Sequence, residues 1–305
     1  MARINVYAGG TLDRLSGQRG DAAWIAARRA DPESRYVVVW RSRCLVRDGE
    51  PPHIALLDHA TVESVIDQAV EIALLGVDGG TAYFAVGLPA STDDPTEGPL
   101  AGLGAFEDLR AVGGRLTAPE AAMLALSRGI MYWHERHLYC GVCGSPTTSR
   151  DAGFIRLCTN DACNAQHFPR TDPAVIMAVS DGDYCLLGRG RDWPEGQYST
   201  LAGFAEPGES LEEAVAREVV EESGIVVRNV RYHSSQPWPF PGSIMLGFHA
   251  EAATTEVTVN HDELEDARWF HRDELLNPRD GFRLPRTESI ARRLVEDWLS
   301  GTIGD

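Results

Sequence analysis

The chain has 305 residues, 43% of them hydrophobic, and a formal net charge of −17 from 28 basic and 45 acidic side chains. This size and apolar content predict two cored domains with room for a small third module, and they exclude bulk disorder. The acidic balance argues against sequence-blind coating of nucleic acid or anionic membrane, leaving at most a local basic groove, and because every cation is arginine, Schiff-base and P-loop lysine chemistry is excluded.

Residues 1–20 are polar and glycine-rich, with no apolar stretch of export-signal type. The longest apolar runs, 37–40 and 174–179, fall far short of the about 18 residues that cross a bilayer. The expectation is a cytoplasmic chain that does not enter membranes. Residues 1–100 read as β-rich. The runs 36–40 and 53–57 are strand-like, and 72–75 and 82–86 flank Asp78-Gly79-Gly80, a hairpin-turn sequence. Residues 89–99 form a proline-punctuated loop. Thr117, with Glu120 three residues on and Pro119 between them, predicts a helix start, and the helix runs toward His134. This part carries no recognisable chemistry: His53, His59, His134 and His137 stand singly and read as surface or hydrogen-bonded imidazoles. No internal repeat and no low-complexity tract is visible.

Four of the six cysteines fall within 24 residues, as Cys140-x2-Cys143 and Cys158-x4-Cys163, while Cys44 and Cys185 lie alone. In a reducing compartment such a cluster reads as a metal site rather than as disulfides. Zn²⁺ takes four thiolates at about 2.3 Å in a tetrahedron, and Gly141 and Gly144 permit the tight turns this needs. Residues 154–157 supply a strand between the two knuckles. With all four positions filled by protein, the site is closed and structural. The ribbon carries only scattered Arg150, Arg156 and Arg170, so its expected work is to brace the flanking domains. His167 reads as a bystander.

Beyond the ribbon, 174–179 and 184–187 are strand-like runs about an Asp181-Gly182-Asp183 turn. Ser210 with Glu213 then predicts a capped helix start, and Gly224 a left-handed C-cap. Within that helix Glu218, Glu221 and Glu222 are related by i, i+3 and i+4, so three carboxylates crowd one face. Hard oxygen ligands at that density suit Mg²⁺ or Mn²⁺. Arg217 lies off that face, placed to pin the preceding loop through Glu209. Leu211, Ala214, Val215 and Val219 form the core-facing stripe. Taken together, Gly203-x5-Glu209-x7-Arg217-Glu218-Val219-x-Glu221-Glu222-x-Gly224-Ile225 resembles the Nudix box at every fixed position. The resemblance implies an α/β/α sandwich over about residues 170–300. It also implies hydrolysis of a nucleoside diphosphate linked to a further group, with Glu218, Glu221, Glu222 and the carbonyl of Ala202 binding the divalent ions.

A second segment follows: Ser235, Gln236, Pro237, Trp238, Pro239, Phe240, Pro241, Gly242 and Ser243. Alternating prolines make it stiff and extended, which presents Trp238 and Phe240 as stacking planes for a flat ring, with Ser235, Gln236 and Ser243 as nearby hydrogen-bonding groups. It resembles the SQPWPFPxS element of the NADH pyrophosphatase branch of the Nudix family, with Gly242 where relatives often have Gln. The four-cysteine ribbon just before the box is a second feature of that branch. The resemblance implies cleavage of NADH or NAD⁺ to nicotinamide mononucleotide and AMP, and removal of NAD caps from RNA 5′ ends to leave a 5′ monophosphate. It also implies a stacking role for Phe168, a fourth metal-reaching carboxylate at Glu263, a backbone contact to substrate at Ala291, and a homodimer. Glu222, then Glu263, is the expected base. The rival reading is a Nudix hydrolase preferring ADP-ribose, diadenosine polyphosphate or FAD. Arg283, Arg286, Arg292 and Arg293 read either as RNA contacts or, preferably, as a solvated helix face. The whole is an α+β chain: a β-rich α/β domain at 1–137, a zinc ribbon at 138–168 and a Nudix domain at 169–305.

Overall fold

The computed structural model describes residues 3–301; residues 1–2 and 302–305, the outer ends of the first and third expected domains, lie outside the described residues. The chain divides into two compact units, one of Tyr7–Thr171 with Trp238–Gly242, the other of Met1–Val6, Asp172–Pro237 and Ser243–Asp305. No helix among the described residues is long and apolar enough to cross a membrane.

In the first unit the chain runs through α1 (Ala22–Arg29), β1 (Arg35–Trp40), β2 (Arg43–Arg47), β3 (His53–Ile54), α2 (His59–Ile66), β4 (Glu71–Asp78), β5 (Thr81–Leu88), β6 (Ala105–Glu107), α3 (Leu109–Val112) and α4 (Ala118–Arg136). The strands form one sheet in the order β3-β2-β1-β5-β4, with β6 on β2. Only β1 and β5 pair in parallel. The predicted hairpin is present: Gly79 and Gly80 sit at φ +56° and +90°, the left-handed values that a tight turn between right-twisting strands requires. Tyr36, Val38, Leu45, Leu74 and Phe84 interlock as the core. The predicted start of α4 also holds, since the Glu120 carboxylate accepts the Thr117 N–H at 3.2 Å.

The same unit contains a three-stranded ribbon, β7 (Thr147–Arg150), β8 (Ile155–Cys158) and β9 (Gln166–His167), in that order and antiparallel. It is joined to the sheet by Ser149 Oγ, which donates to Glu71 at 3.0 Å, and to α4 by a buried imidazole. His134 on α4 lies 3.0 Å from Arg156 and 3.3 Å from Glu71 at Nδ1, and 2.8 Å from the Gly153 carbonyl at Nε2. Burial holds its pKa down to about 4, so the ring is neutral, donates from Nε2 and accepts from Arg156. Arg156 also donates to the Thr147 hydroxyl at 2.7 Å and the Thr147 carbonyl at 3.0 Å. This histidine, isolated in the sequence, is thus a satisfied tie between α4 and the ribbon.

In the second unit the elements are β10 (Asp172–Asp181), β11 (Tyr184–Gly190), β12 (Leu201–Phe204), α5 (Leu211–Ser223), β13 (Val227–Trp238), β14 (Ser243–Ala252), β15 (Leu264–His271), α6 (Arg272–Leu276) and α7 (Ile290–Ser300). The sheet order is β13-β14-β10-β11-β15, with β12 on β10, and β10 and β14 are parallel. The pleat of β10 sends Val175, Met177 and Val179 into the core shared with α5, and Ile176 and Ala178 into the core shared with α7. That makes an α/β/α sandwich. Its strand order mirrors that of the first sheet: in each, a central strand has its antiparallel hairpin partner on one side and a parallel strand on the other. The sequence shows no repeat because topology demands only apolar alternation, which many residue choices satisfy.

Gly153 occupies φ +93°, and a Cβ there would stand 2.5 Å from the Cβ of Ala73. Gly153→Ala is expected to cost roughly 1–3 kcal/mol, measured as a lower urea midpoint with unchanged m value.

Candidate active site

The site begins with the way α5 is started, buried and stopped. Ser210 accepts the Glu213 N–H at 3.2 Å, and the Glu213 carboxylate accepts the Ser210 N–H at 2.7 Å. At the other end Gly224 takes φ +71° and closes onto the Val220 carbonyl at 2.8 Å. Between these caps Ala214, Val215 and Val219 are fully buried, which turns Glu218, Glu221 and Glu222 to a common side. Glu218 and Glu222 are buried and Glu221 is exposed. On neighbouring β12, a Cβ at Gly203 would overlap the Glu218 carboxylate, so the glycine that opens the motif makes room for that side chain.

Arg217 behaves differently from the sequence expectation in one respect. It pins the preceding loop as expected, with Nε and Nη2 donating to the two Glu209 oxygens at 2.6 and 3.0 Å and Nη2 to the Phe204 carbonyl at 2.8 Å. This bidentate pair holds the Glu209 carboxyl down to about 2. However, Nη1 also reaches the carboxylate face, donating to Glu218 and to Glu221 at 2.8 Å each. The long side chain folds back over its own turn, so its Cα direction does not decide where its charge goes.

Glu222 is the focus of the cluster. One of its oxygens, Oε2, is buried with no hydrogen-bond partner. Burial first, then the charges of Glu218 and Glu263, push its pKa up to about 8, against a lowering hydrogen bond from the Ala202 backbone. Burial likewise raises Glu218. Glu263 arrives from a loop fastened to the end of α5: Thr258 N–H donates to the Ser223 carbonyl at 2.8 Å, Asn260 N–H to the Glu222 carbonyl at 3.1 Å, and Glu263 N–H to the Asn260 carbonyl at 3.1 Å. Ala202, on β12 opposite Ile176, completes the group. An unpartnered buried carboxylate oxygen amid three further carboxylates is the donor set of a hard divalent cation, and these residues fit one.

The proline-rich segment is divided between the units. Gln236, fully buried, belongs with the sandwich: its Nε2 donates to the carbonyls of Val6 at 3.1 Å and Glu288 at 2.8 Å, and its Oε1 accepts the Ile290 N–H at 2.8 Å. It therefore caps α7, whose own Ser289 makes no side-chain cap. Ala291 is the next residue of that helix and is buried, Pro237 is half-buried, and Ser243 opens β14 opposite Asp172. Trp238 to Gly242 belong to the first unit. The Trp238 and Phe240 rings meet edge-on at 5.1 Å, and Tyr7 packs 6.2 and 5.6 Å from them. Arg110 and Arg128 lie 4.6 and 4.8 Å from the Phe240 ring. Pro239 is buried, Pro241 exposed, and Gly242 lies beside the Arg170 carbonyl. In the same unit Phe168 follows β9 and is 61% exposed. Tyr7, Arg110 and Arg128 are contacts that sequence reasoning missed, and no local pattern marks them.

The four cysteines converge, with all Sγ atoms within 4.8 Å of one another. Cys140 and Cys163 are 3.8 Å apart and Cys143 and Cys158 3.4 Å, close to the about 3.8 Å edge of a tetrahedron with zinc–sulfur bonds of about 2.3 Å. Hydrogen bonds from Ser145 lower the Cys143 thiol to about 6, toward the thiolate that zinc takes. His167 stays outside the four-cysteine group, and its Nε2 lies 3.2 Å from Cys140 Sγ, a contact that orients this ligand.

A sandwich carrying this carboxylate helix defines a hydrolase of the Nudix class. Residues 170–293 match the model described as the NUDIX domain, 33–133 the NADH pyrophosphatase-like rudimentary NUDIX domain, and 135–168 the NADH pyrophosphatase zinc ribbon domain. The chain is 37% identical to the NAD-capped RNA hydrolase NudC of Mycobacterium bovis over 95% of this chain and 94% of that one. It is 34% identical to the NAD-capped RNA hydrolase NUDT12 of Homo sapiens over 97% of this chain and 73% of that one. It is 39% identical to the mitochondrial NAD(P)H pyrophosphatase NUDT13 of Homo sapiens over 64% of this chain and 60% of that one. The chain belongs to the NADH pyrophosphatase branch of the Nudix hydrolase family.

The raised Glu222 has a measurable consequence. A folded-state pKa near 8 against 4.5 unfolded contributes stability that is full below about pH 4.5 and is lost as pH rises through about 8. In buffer free of Mg²⁺ and Mn²⁺, the urea midpoint of the parent is expected to fall relative to that of Glu222→Gln across this window.

Proposed function

We propose that this protein hydrolyses the diphosphate of NADH and NAD⁺ to nicotinamide mononucleotide and AMP, and removes NAD caps from RNA to leave a 5′ monophosphate. The observation that carries the reading is the buried Glu222 Oε2, without a hydrogen-bond partner, on a carboxylate set among Glu218, Glu221 and Glu263. It stands in a chain similar along 95% of its length to an NAD-capped RNA hydrolase.

In this reading Glu218, Glu221, Glu222, Glu263 and the Ala202 carbonyl hold Mg²⁺ or Mn²⁺. Such ions neutralise the diphosphate and lower the pKa of the attacking water. Glu222 takes that water's proton at Oε2, with Glu263 as the second choice. The water oxygen bonds to one phosphorus, the bridging P–O bond breaks, and the anhydride becomes two phosphate monoesters. Arg217, fastened to Glu209, keeps Glu218 and Glu221 from splaying. Phe168 and Trp238 provide ring faces, Phe240 and its prolines hold Trp238 in place, and Ser243 and the Ala291 amide supply polar contacts. Gln236 serves from behind, by fixing the start of α7. Cys140, Cys143, Cys158 and Cys163 hold a structural Zn²⁺. The division at 1–137, 138–168 and 169–305, the cytoplasmic location and a homodimer complete the reading.

The test is incubation of the zinc-loaded protein with NADH and Mn²⁺ or Mg²⁺, with products separated by chromatography. Reduced nicotinamide mononucleotide and AMP in equal amounts are expected, and their absence while ADP-ribose is cleaved would overturn the substrate assignment. Glu222→Gln is expected to lower kcat by at least about 100-fold with the circular dichroism spectrum unchanged.

A further inference from the structure

Removal of a cap from RNA needs a cationic seat for the nucleotides behind it, and a net charge of −17 leaves few places for one. The C-terminal arginines do not provide it. Arg292 pairs with Glu296 at 2.7 Å, Arg293 with Asp297 at 3.2 Å, and Arg286 with Glu288 at 3.8 Å, which leaves Arg283 as the one of the four with no carboxylate ion pair among the described residues. In the first unit the situation is reversed. A cavity of about 350 Å³ lies between α1 and the β7–β8 turn, with Arg19, Arg29 and Arg150 on its walls against a single acid, Asp151. None of these three arginines has a carboxylate ion-pair partner among the described residues.

Their orientation is set by neutral groups. Arg19 stacks 3.5 Å over the Phe154 ring and donates Nε and Nη2 to the Arg14 carbonyl at 3.2 and 3.0 Å, which leaves Nη1. Arg150 anchors Nη1 on the Thr148 hydroxyl at 3.3 Å and the Ser149 carbonyl at 2.9 Å, leaving Nη2. Arg29, the last residue of α1, makes no side-chain hydrogen bond among the described residues. The turn that forms the opposite wall holds Asp151 and Ala152 at φ +50°, a left-handed conformation that non-glycine residues rarely adopt. Three guanidiniums held together with only Asp151 to offset them keep an excess of positive charge, and a phosphate relieves their repulsion while accepting their free N–H groups.

We propose that the cavity walled by Arg19, Arg29 and Arg150 binds the phosphodiester backbone of single-stranded RNA. This rests on the RNA half of the proposed function and adds a site to it. The test is fluorescence anisotropy of a short single-stranded RNA bearing a 5′ monophosphate, titrated over a range of salt with the full-length, zinc-loaded protein. The variants are R29Q/R150Q and, as a charge-matched control, R43Q/R47Q, which removes two exposed arginines from β2. R29Q/R150Q is expected to weaken RNA binding about tenfold and to flatten the log K–log salt slope by about 0.7 for each phosphate that is no longer neutralised. Zinc content and turnover of free NADH stay at parent values. Unchanged RNA affinity and slope in R29Q/R150Q, or an equal weakening in R43Q/R47Q, overturns the proposal. So does loss of inorganic phosphate binding with RNA binding intact, which makes the cavity a small-anion site. Failure of the parent to cleave NADH, with RNA binding still dependent on Arg29 and Arg150, overturns the proposed activity and leaves this site standing.

Discussion

Carboxylates of like charge, two of them taken out of water on a single helix, are the constraint around which the sandwich is arranged. Glu218 and Glu222 are buried, and Glu222 has an oxygen with no partner. A cluster of this kind is unfavourable unless the scaffold is strong enough to hold it together. The caps of α5, its fully buried stripe, and the loop tied to its last turn supply that strength. Arg217 supplies partial counter-charge to two of the acids while its other nitrogens hold Glu209 and the Phe204 carbonyl. Stability is thus given up locally so that a divalent cation has something to gain on binding, which is how a preorganised electrostatic site works.

Elsewhere the structure relies on buried polar ties rather than on apolar packing alone. His134, Arg156 and Thr147 join helix and ribbon through hydrogen bonds, and Glu71 of the sheet accepts from Ser149 of the ribbon. Gln236 does the same for β13 and α7. Such networks specify one geometry, because any other leaves a buried donor or acceptor without a partner. The zinc site follows the same rule at larger scale: four thiolates place two knuckles, and the His167 contact orients Cys140. Charge is distributed with equal economy. Arg292 and Arg293 are paired within α7, whereas Arg19, Arg29 and Arg150 have no carboxylate ion pair among the described residues.

Much of this was legible in the chain because it depends on separations of a few residues. The capping boxes at Thr117 and Ser210, the Gly79-Gly80 turn, the left-handed Gly224, the cysteine spacing and the shared face of Glu218, Glu221 and Glu222 are all imposed by backbone geometry over one or two turns. The sequence by itself therefore determined the helix ends, the metal-binding chemistry and the family. Tertiary structure alone decided which partners meet across long separations: Gln236 turned inward to Ile290, His134 buried against Glu71 and Arg156, Phe240 flanked by Arg110 and Arg128, and Arg29 facing Arg150. It also decided that each sheet centres on a strand with its hairpin partner on one side and a parallel strand on the other. These pairings depend on burial and on the path of the whole chain. A polar side chain in sequence has no preferred direction until packing has removed the water around it.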